Sequence, residues 1–300
     1  MTLSAPVVSV LMTAYNRADH VGEAIESVLR SSMSDLELIV VDDASADQTA
    51  TVAAGFESDP RVRTFVNPTN LGDYANRNQA ASYARGKYIK YLDSDDIIYP
   101  YGLEVMVRCM NGFPEAGLGI SAFPDASVPY PRLLSSAEAY RENYSGKDTL
   151  SRAPGSTIIR RDAFESVGGF SGVRDVGDHE LWLRIARRFP VVKMPRDLVW
   201  DRTLENQEKH QHLVVDSAVA NDRVRVAALM ADDCPLPAGE RASTLERMKV
   251  LRAQQFWTLV RNGSGFSAAR DFRNRVAIPL GTIANTGFET LRTRVFGGDK

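Results

Sequence analysis

Lys87-Tyr-Ile-Lys-Tyr-Leu-Asp-Ser-Asp-Asp-Ile-Ile-Tyr-Pro100 decides how this 300-residue chain is read. Its opening, Lys87–Leu92, is a short β-branched and aromatic run, the composition of a strand. The run ends in three carboxylates within four positions, Asp93, Asp95 and Asp96. Like charges so crowded are costly unless a cation or strong donors share them. At the carboxyl end of a sheet strand, where α/β folds bind ligands, a hard divalent cation with its phosphate is the fitting occupant. A solvated acidic turn is the plainer reading of an isolated Asp-x-Asp. An EF-hand is excluded, because its sixth loop position would be Ile98 where glycine is needed.

Upstream, Val7–Thr13 is a nearly continuous apolar run, the kind buried on both faces of a parallel sheet. A helix is expected from about Asp19 to Ser31, with Val21, Ala24, Ile25, Val28 and Leu29 on one face. Leu36–Val41 reads as the second strand and ends in Asp42-Asp43. Ser45-Ala-Asp-Gln48 has the form of a capping box for a helix through about Phe56. Arg61–Val66 is the third strand. After the turn-rich Asn67-Pro-Thr-Asn-Leu-Gly72, a helix is expected to Arg85, closed by Gly86 in the C′ position. This alternation predicts an α/β fold with βαβ units, a mostly parallel sheet and right-handed crossovers.

The bulk numbers narrow the function. With 44% hydrophobic residues the chain can bury one large core, or a core plus an appendage. A net charge of −2 gives no reason to expect a nucleic-acid partner. No cationic segment precedes an apolar stretch, and no apolar run approaches the roughly 18 residues of a membrane span, so a cytoplasmic location is expected. Cys109 and Cys234 have no metal-ligand spacing and read as reduced thiols. A dinucleotide fingerprint is absent after the first strand, and so is a Walker loop. A phosphoacceptor receiver domain would be shorter and would order its acids differently, although Val40-Val41-Asp42-Asp43 alone is compatible with one.

Val8-Ser-Val-Leu-Met-Thr-Ala-Tyr-Asn16, Leu38-Ile-Val-Val-Asp-Asp-Ala-Ser45, Asn70-Leu-Gly72, Arg77-Asn78 and Tyr88-Ile-Lys-Tyr-Leu-Asp-Ser-Asp-Asp96 stand in the chain in that order. Together they resemble the nucleotide-binding half of inverting, GT-A-fold family 2 glycosyltransferases, over roughly the first 200 residues. The resemblance implies a GT-A sheet of Rossmann-like kind and a nucleotide-diphosphate sugar as donor. It puts Thr13 and Tyr15 in the base pocket and Asp43 on the base imide proton, which favours uracil or thymine while a guanine N–H would serve too. Asp42 is left a turn role. Arg77 would sit beside the nucleotide, Asp93 and Ser94 would contact the nucleotide sugar, and Asp95 or Asp96 would hold Mn2+ or Mg2+.

For the second half, Tyr101–Asn111 reads as a helix, Ala116–Ala122 as a strand, and Phe123–Ser151 as an irregular acceptor loop. Thr157–Arg160 reads as a strand and Arg161–Val167 as a helix before Gly168-Gly169-Phe170. Asp178 stands where a helix begins, with Leu181, Trp182, Ile185 and Phe189 at helical spacing; as a bare pattern it is an N-cap. The resemblance makes Asp178 the general base. The common family form has an acid just before it, where this chain has Gly177. His179 is an alternative base or a surface or supporting residue, and Glu180 is expected to be exposed. The mechanism implied is a single displacement with inversion.

Beyond two short strands in Val191–Asp201 the resemblance fades. Arg202 fits a family arginine, Glu205 stands where a histidine is expected, and His210 and His212 follow. From about Gln207 three or four helices are expected: Leu213–Met230, Arg241–Val260, Ala268–Ala277 and a segment past Pro279. Met248, Leu251, Gln255 and Leu259, with Val250, Phe256 and Trp257, outline an amphipathic face. The expected division is a catalytic domain, 1–204 (a nucleotide-sugar half, 1–100, and an acceptor half, 101–204), and a helical extension, 205–300. The extension would pack on that domain or on a second copy. Its basic end, with Arg270, Arg273, Arg275, Arg292 and Arg294, could meet an acidic membrane, an ordinary solvated helix surface being the better reading.

Overall fold

Six of the seven residues of Val8–Ala14 (β1) are almost wholly shielded from water, as an apolar central strand requires. The computed structural model describes residues 5–121, 128–203, 214–261 and 265–286. After β1 the chain alternates α1 (Ala18–Leu29), β2 (Leu36–Asp42), α2 (Thr49–Ala54), β3 (Val62–Val66), α3 (Asp73–Ser82) and β4 (Tyr88–Tyr91). Then come β5 (Ile97–Ile98), α4 (Gly102–Asn111), β6 (Leu118–Ser121), β7 (Arg132–Leu134), α5 (Ser136–Glu142), β8 (Thr157–Arg160), α6 (Arg161–Ser166), α7 (Gly177–Arg188), β9 (Val191–Met194) and β10 (Val199–Trp200). The helices α8 (Val214–Met230), α9 (Ala238–Arg261) and α10 (Gly265–Val276) follow.

Eight strands form one sheet in the order β3-β2-β1-β4-β8-β6-β9-β7. The first four run parallel, and β8 turns against both β4 and β6. The parallel pair β6–β9 and the antiparallel edge strand β7 complete the sheet. Helices α1 and α4 bury Val21, Ile25, Val28, Leu103 and Met106 against the β1–β2–β4 face. Each such side chain contributes about 1.5–3 kcal/mol of burial. The expected α/β class therefore holds: a largely parallel sheet flanked by helices, with helices after it.

Several local expectations fail for physical reasons. Ser45 does not cap α2; its hydroxyl accepts from the Asn16 amide, while Asp47 accepts from the Thr49 amide and hydroxyl. Gly86 is not a helix C′ residue, since α3 stops at Ser82. Its glycine is needed because a Cβ there would lie 2.6 Å from the Ser9 amide nitrogen on β1. The supposedly irregular 123–151 segment contains β7 and α5; Ser135 and Glu138 cap α5 reciprocally, the box that Ser45 failed to supply.

Two compact units divide the chain, 1–173 with 177–204, and 174–176 with 205–300. In the second, Val219, Ala253, Phe256, Leu259 and Phe272 form a core of their own. Met248 joins the buried residues, but Val250 and Leu251 of the expected apolar face stand exposed. Arg275 pairs with Asp216 and Asp271, and Arg273 donates to the Ile278 carbonyl. Those two arginines thus serve the helices' own structure; Arg292 and Arg294 lie outside the described residues. No helix among the described residues is long and apolar enough to cross a membrane.

Candidate functional site

The carboxyl ends of β1, β2 and β4 open on one crevice, as the register of a parallel sheet requires. Thr13 is half-buried at the end of β1, and the Tyr15 ring is exposed beyond it. Asn16 adopts a left-handed conformation (φ 50°), which asparagine tolerates. Its amide donates to Ser45 Oγ and its side chain accepts from the Ala46 amide, both at 2.9 Å. The loops after β1 and β2 are thereby tied together under Tyr15.

Asp42 accepts from the Ser45 amide at 2.9 Å, the turn role expected of it. Asp43 is buried and organises the next loop. Its Oδ1 accepts from Asn67 Nδ2 (2.7 Å) and the Leu71 amide (2.9 Å), and its Oδ2 from the Gly72 amide (2.9 Å). Gly72, at φ 83°, then starts α3. Each carboxylate oxygen offers two lone pairs, so Oδ2 keeps one for a further donor.

Arg77, on α3, joins two acids. Its Nε donates to Asp73 at 2.7 Å and its Nη2 to Asp93 at 2.8 Å. The guanidinium lies over the Tyr91 ring, 5.6 Å from the centroid, and its Nη1 is buried with no partner. Burial works against the Asp93 carboxylate, but Arg77, with Lys90 and Arg17, outweighs it and holds the acid below the usual range.

The remaining acids crowd together. Asp95 is buried with Arg17 Nε 3.4 Å away, and Ser94 is buried between the acids. Asp96 accepts from the Arg202 amide at 2.9 Å, while Arg202 Nε donates to the Asp95 carbonyl at 2.8 Å. Burial, then repulsion from Asp93, Asp201 and Asp95, pushes the Asp96 carboxyl up to about 7. Lys90 is fully buried in β4 and donates to the carbonyls of Tyr91 and Gly155. Burial pushes it down to about 7, against the pull of Asp93, Asp201 and Asp96. A Cβ on Gly155 would lie 3.6 Å from Asp96 Oδ2 and 3.7 Å from Asp201 Oδ1, so these two carboxylates flank the glycine.

Among the described residues no three acid, histidine or cysteine side chains gather as a metal cage. The donor set still fits a hard cation of the Mg2+ or Mn2+ kind, which takes one or two carboxylates and completes its shell with water and substrate phosphate. Asp95 and Asp96 supply oxygen donors only, and the crowding at Asp96 is what a cation would relieve. His210, His212 and Glu205 lie outside the described residues.

Asp178 is in the first turn of α7 rather than at its N-cap, because the helix already starts at Gly177. Its Oδ1 accepts from the His179 amide at 2.7 Å. Burial pushes its carboxyl up to about 6, with the His179 amide and Arg77 opposing. The acid expected before it has no room: a Cβ on Gly177 would lie 2.6 Å from the Tyr74 ring. His179 is buried rather than on the surface, with Nε2 3.4 Å from Asn143 Nδ2. Glu180 is not exposed either; it accepts from Ser171 Oγ and pairs with Arg184.

Beside the acidic cluster lies a cleft of about 300 Å³ lined by Ser121, Arg152, Gly155, Ser156, Arg196 and Asp201, among others. Sequence reasoning missed Arg17, Tyr74, Lys90 and Asp201 in this region. A lysine inside an apolar strand and an acid directly after the short strand Val199–Trp200 were the available signals. Nothing in the sequence pairs Tyr74 with Gly177.

Comparison with known proteins agrees with this architecture. Residues 9–168, more than half of the chain, match Glycosyl transferase family 2. EpsE of Bacillus subtilis is 33% identical over 189 residues, covering 60% of this chain and 67% of its own. The UDP-Glc:alpha-D-GlcNAc-diphosphoundecaprenol beta-1,3-glucosyltransferase WfgD of Escherichia coli is 38% identical over 104 residues, 35% of this chain and 41% of its own. The chain thus spans about two thirds of one relative and less than half of the other. Staphylococcus aureus TarS with UDP-GlcNAc superposes at a TM-score of 0.67 with 18% identity, covering 92% of this chain and 82% of that one. The Pyrobaculum calidifontis mannosyltransferase PcManGT with GDP-Man and Mn2+ superposes at 0.60 with 16% identity, covering 96% and 81%. At such identities the two structures speak for the fold, which is GT-A. A doubly wound crevice with acids after β2 and β4, the strands on either side of β1, and a family match across it lead to one conclusion: the chain belongs to Glycosyl transferase family 2 and is a glycosyltransferase.

Proposed function

We propose that the chain moves a sugar, with inversion, from a nucleoside-diphosphate donor to an acceptor hydroxyl. A UDP-sugar is the favoured donor, and polysaccharide or glycoconjugate synthesis the setting. The observation that carries the reading is Asp178, a shielded carboxyl pushed up to about 6, in the electrostatic reach of the Arg77 that holds Asp93. Such a group is ionised at neutral pH yet basic enough to take a proton. Asp178 would accept the proton of the attacking hydroxyl. Tyr15 would stack on the base, with the Thr13 hydroxyl and the free lone pair of Asp43 Oδ2 in hydrogen-bonding roles. Asp93 and Ser94 would hold the ribose or sugar, and the orphaned Arg77 Nη1 would find its acceptor on the nucleotide. Asp95 or Asp96 would hold a divalent cation, which when bound would supply positive charge against the diphosphate.

Residues 1–204 would form the catalytic part, with 1–100 holding the donor and 101–204, including the cleft at Ser121 and Arg152, receiving a sugar or lipid-linked glycan. UDP is favoured by the TarS complex and the WfgD name; the PcManGT complex makes a GDP-sugar the second reading, and a dTDP-sugar would fit the same acceptor on Asp43. Calorimetric titration of UDP, dTDP and GDP, each with and without Mn2+, tests the site. Binding of UDP that needs Mn2+ and weakens at least tenfold in Asp95→Ala is expected, the loss of a good charge contact. Metal-independent or absent binding of all three nucleotides would sink it. Asp178→Asn should keep donor affinity and lose turnover.

A further inference from the structure

Tyr74 stands in the first turn of α3, yet its partners lie 96 and 103 residues away in sequence. Its hydroxyl accepts from the Gly177 amide at 2.9 Å. Its ring stacks on Phe170 at 5.0 Å between centroids. Phe170 is itself fixed: its amide donates to Asn78 Oδ1 and its carbonyl accepts from Asn78 Nδ2. The Tyr74 ring also fills the space a side chain at 177 would need, with Cε2 and Cζ 2.6 and 2.7 Å from an added Cβ. The first amides of a helix have no partner inside it, so an outside acceptor fixes where the helix begins. Here that acceptor is the Tyr74 hydroxyl, and the amide it holds is one residue before Asp178.

We propose that Tyr74 is a positioning residue for Asp178. Its hydroxyl anchors the first amide of α7, and its ring closes the space beside residue 177, so the Asp178 carboxylate is held in one orientation and shielded from water. The proposal rests on the reading of Asp178 as general base. Packing alone would also place an aromatic ring at 74 and exclude a Cβ at 177, but it would not require the hydroxyl on a helix-start amide. The charged and titratable groups acting on Asp178 are Arg77 and Asp73 from α3, along with Tyr74. His179 and Glu180 adjoin it on its own helix.

The test is carboxyl NMR on the full chain with 13C-labelled aspartate, Asp178 being assigned by its loss in Asp178→Asn. The wild-type carboxyl should titrate near 6. In Tyr74→Leu, water reaches the carboxylate and its midpoint should fall by about one pH unit or more. In Tyr74→Phe the ring stays, so the midpoint should hold while exchange of the Gly177 amide speeds up about tenfold, the effect of one lost hydrogen bond. Turnover of UDP-GlcNAc with Mn2+ should fall in both variants with UDP affinity kept. An unchanged midpoint in Tyr74→Leu together with unchanged Gly177 exchange in Tyr74→Phe overturns the proposal. Failure of the underlying reading looks different: Asp178→Asn would then keep turnover, whatever Tyr74 does to the titration.

Discussion

Replacing Asp43 by Asn separates the anchoring of the 67–72 loop from nucleotide recognition. The substitution keeps one oxygen, which can still serve Asn67 Nδ2 and the Leu71 amide at the Oδ1 position. The new amide group faces the Gly72 N–H, where Oδ2 now accepts at 2.9 Å, and sets donor against donor. A hydrogen bond to a charged acceptor contributes about 1.5–3 kcal/mol. The Gly72 amide also has Asn70 Oδ1 at 3.0 Å, which retains part of that bonding. The lower end applies, about 1.5 kcal/mol, or roughly tenfold in the opening equilibrium of the loop. Native-state hydrogen exchange should show the Gly72 amide exchanging about ten times faster while amides of β1 keep their protection. An amide at Gly72 that exchanges as in the wild type would refute the view that Asp43 anchors this loop. UDP binding should weaken in the same variant, because the lone pair left on Oδ2 disappears with the oxygen.

Asp178→Asn should stabilise the protein at pH 8 by about 1–3 kcal/mol, since the ordinary carboxyl pKa of 3.8 is raised to about 6 by burial. A carboxyl raised on folding weakens the folded state as pH rises from 3.8 to 6, so the gain should vanish at pH 3.5. Denaturant titrations at the two pH values check this, and an equal gain at both would contradict it. For the same reason wild-type turnover should fall about tenfold per unit below pH 6. Gly86→Ala should cost about 2–3 kcal/mol by overpacking, because its Cβ would meet the backbone of Ser9 at 2.6 Å and Val8 at 2.8 Å. A melting curve indistinguishable from the wild type would show that β1 and β4 can part there cheaply.

The parallel half of the sheet was legible because β1, β2 and β4 are mostly apolar or aromatic, as strands lying between layers of helices must be. Acids directly after such runs stand out, which is why Asp43, Asp93, Asp95 and Asp96 could be read as one crevice. The segment holding β7 and α5 was not legible: α5 is short, and its signal was a capping box inside a stretch dominated by serine and tyrosine. Ser45 carried a similar pattern and is used otherwise, because the Asn16 amide competes for its hydroxyl. Lys90 sat unread in an apolar strand, since its partners are two backbone carbonyls, one of them 65 residues away. Glu180 was misplaced on the surface, and the surface alternative for His179 fails, because a helix pattern gives the face of a residue but not what covers it.

The ribbon of β5 and β10 is only two residues wide on each side, with Val199 opposite Ile98 and Trp200 opposite Ile97. It follows that the acidic crowd is gauged by a very short ruler. Side chains alternate across a strand, so sliding this pairing by one residue would turn Asp201 to the opposite side and carry the Arg202 amide away from Asp96. The Arg202 guanidinium over the Trp200 ring, 4.8 Å from its centroid, and its bond to the Asp95 carbonyl act as stops against that slide. The spacing of four carboxylates is therefore set by the phase of one dipeptide, and insertions or deletions between Met194 and Val199 should disturb it more than much larger changes in the loops outside the ribbon.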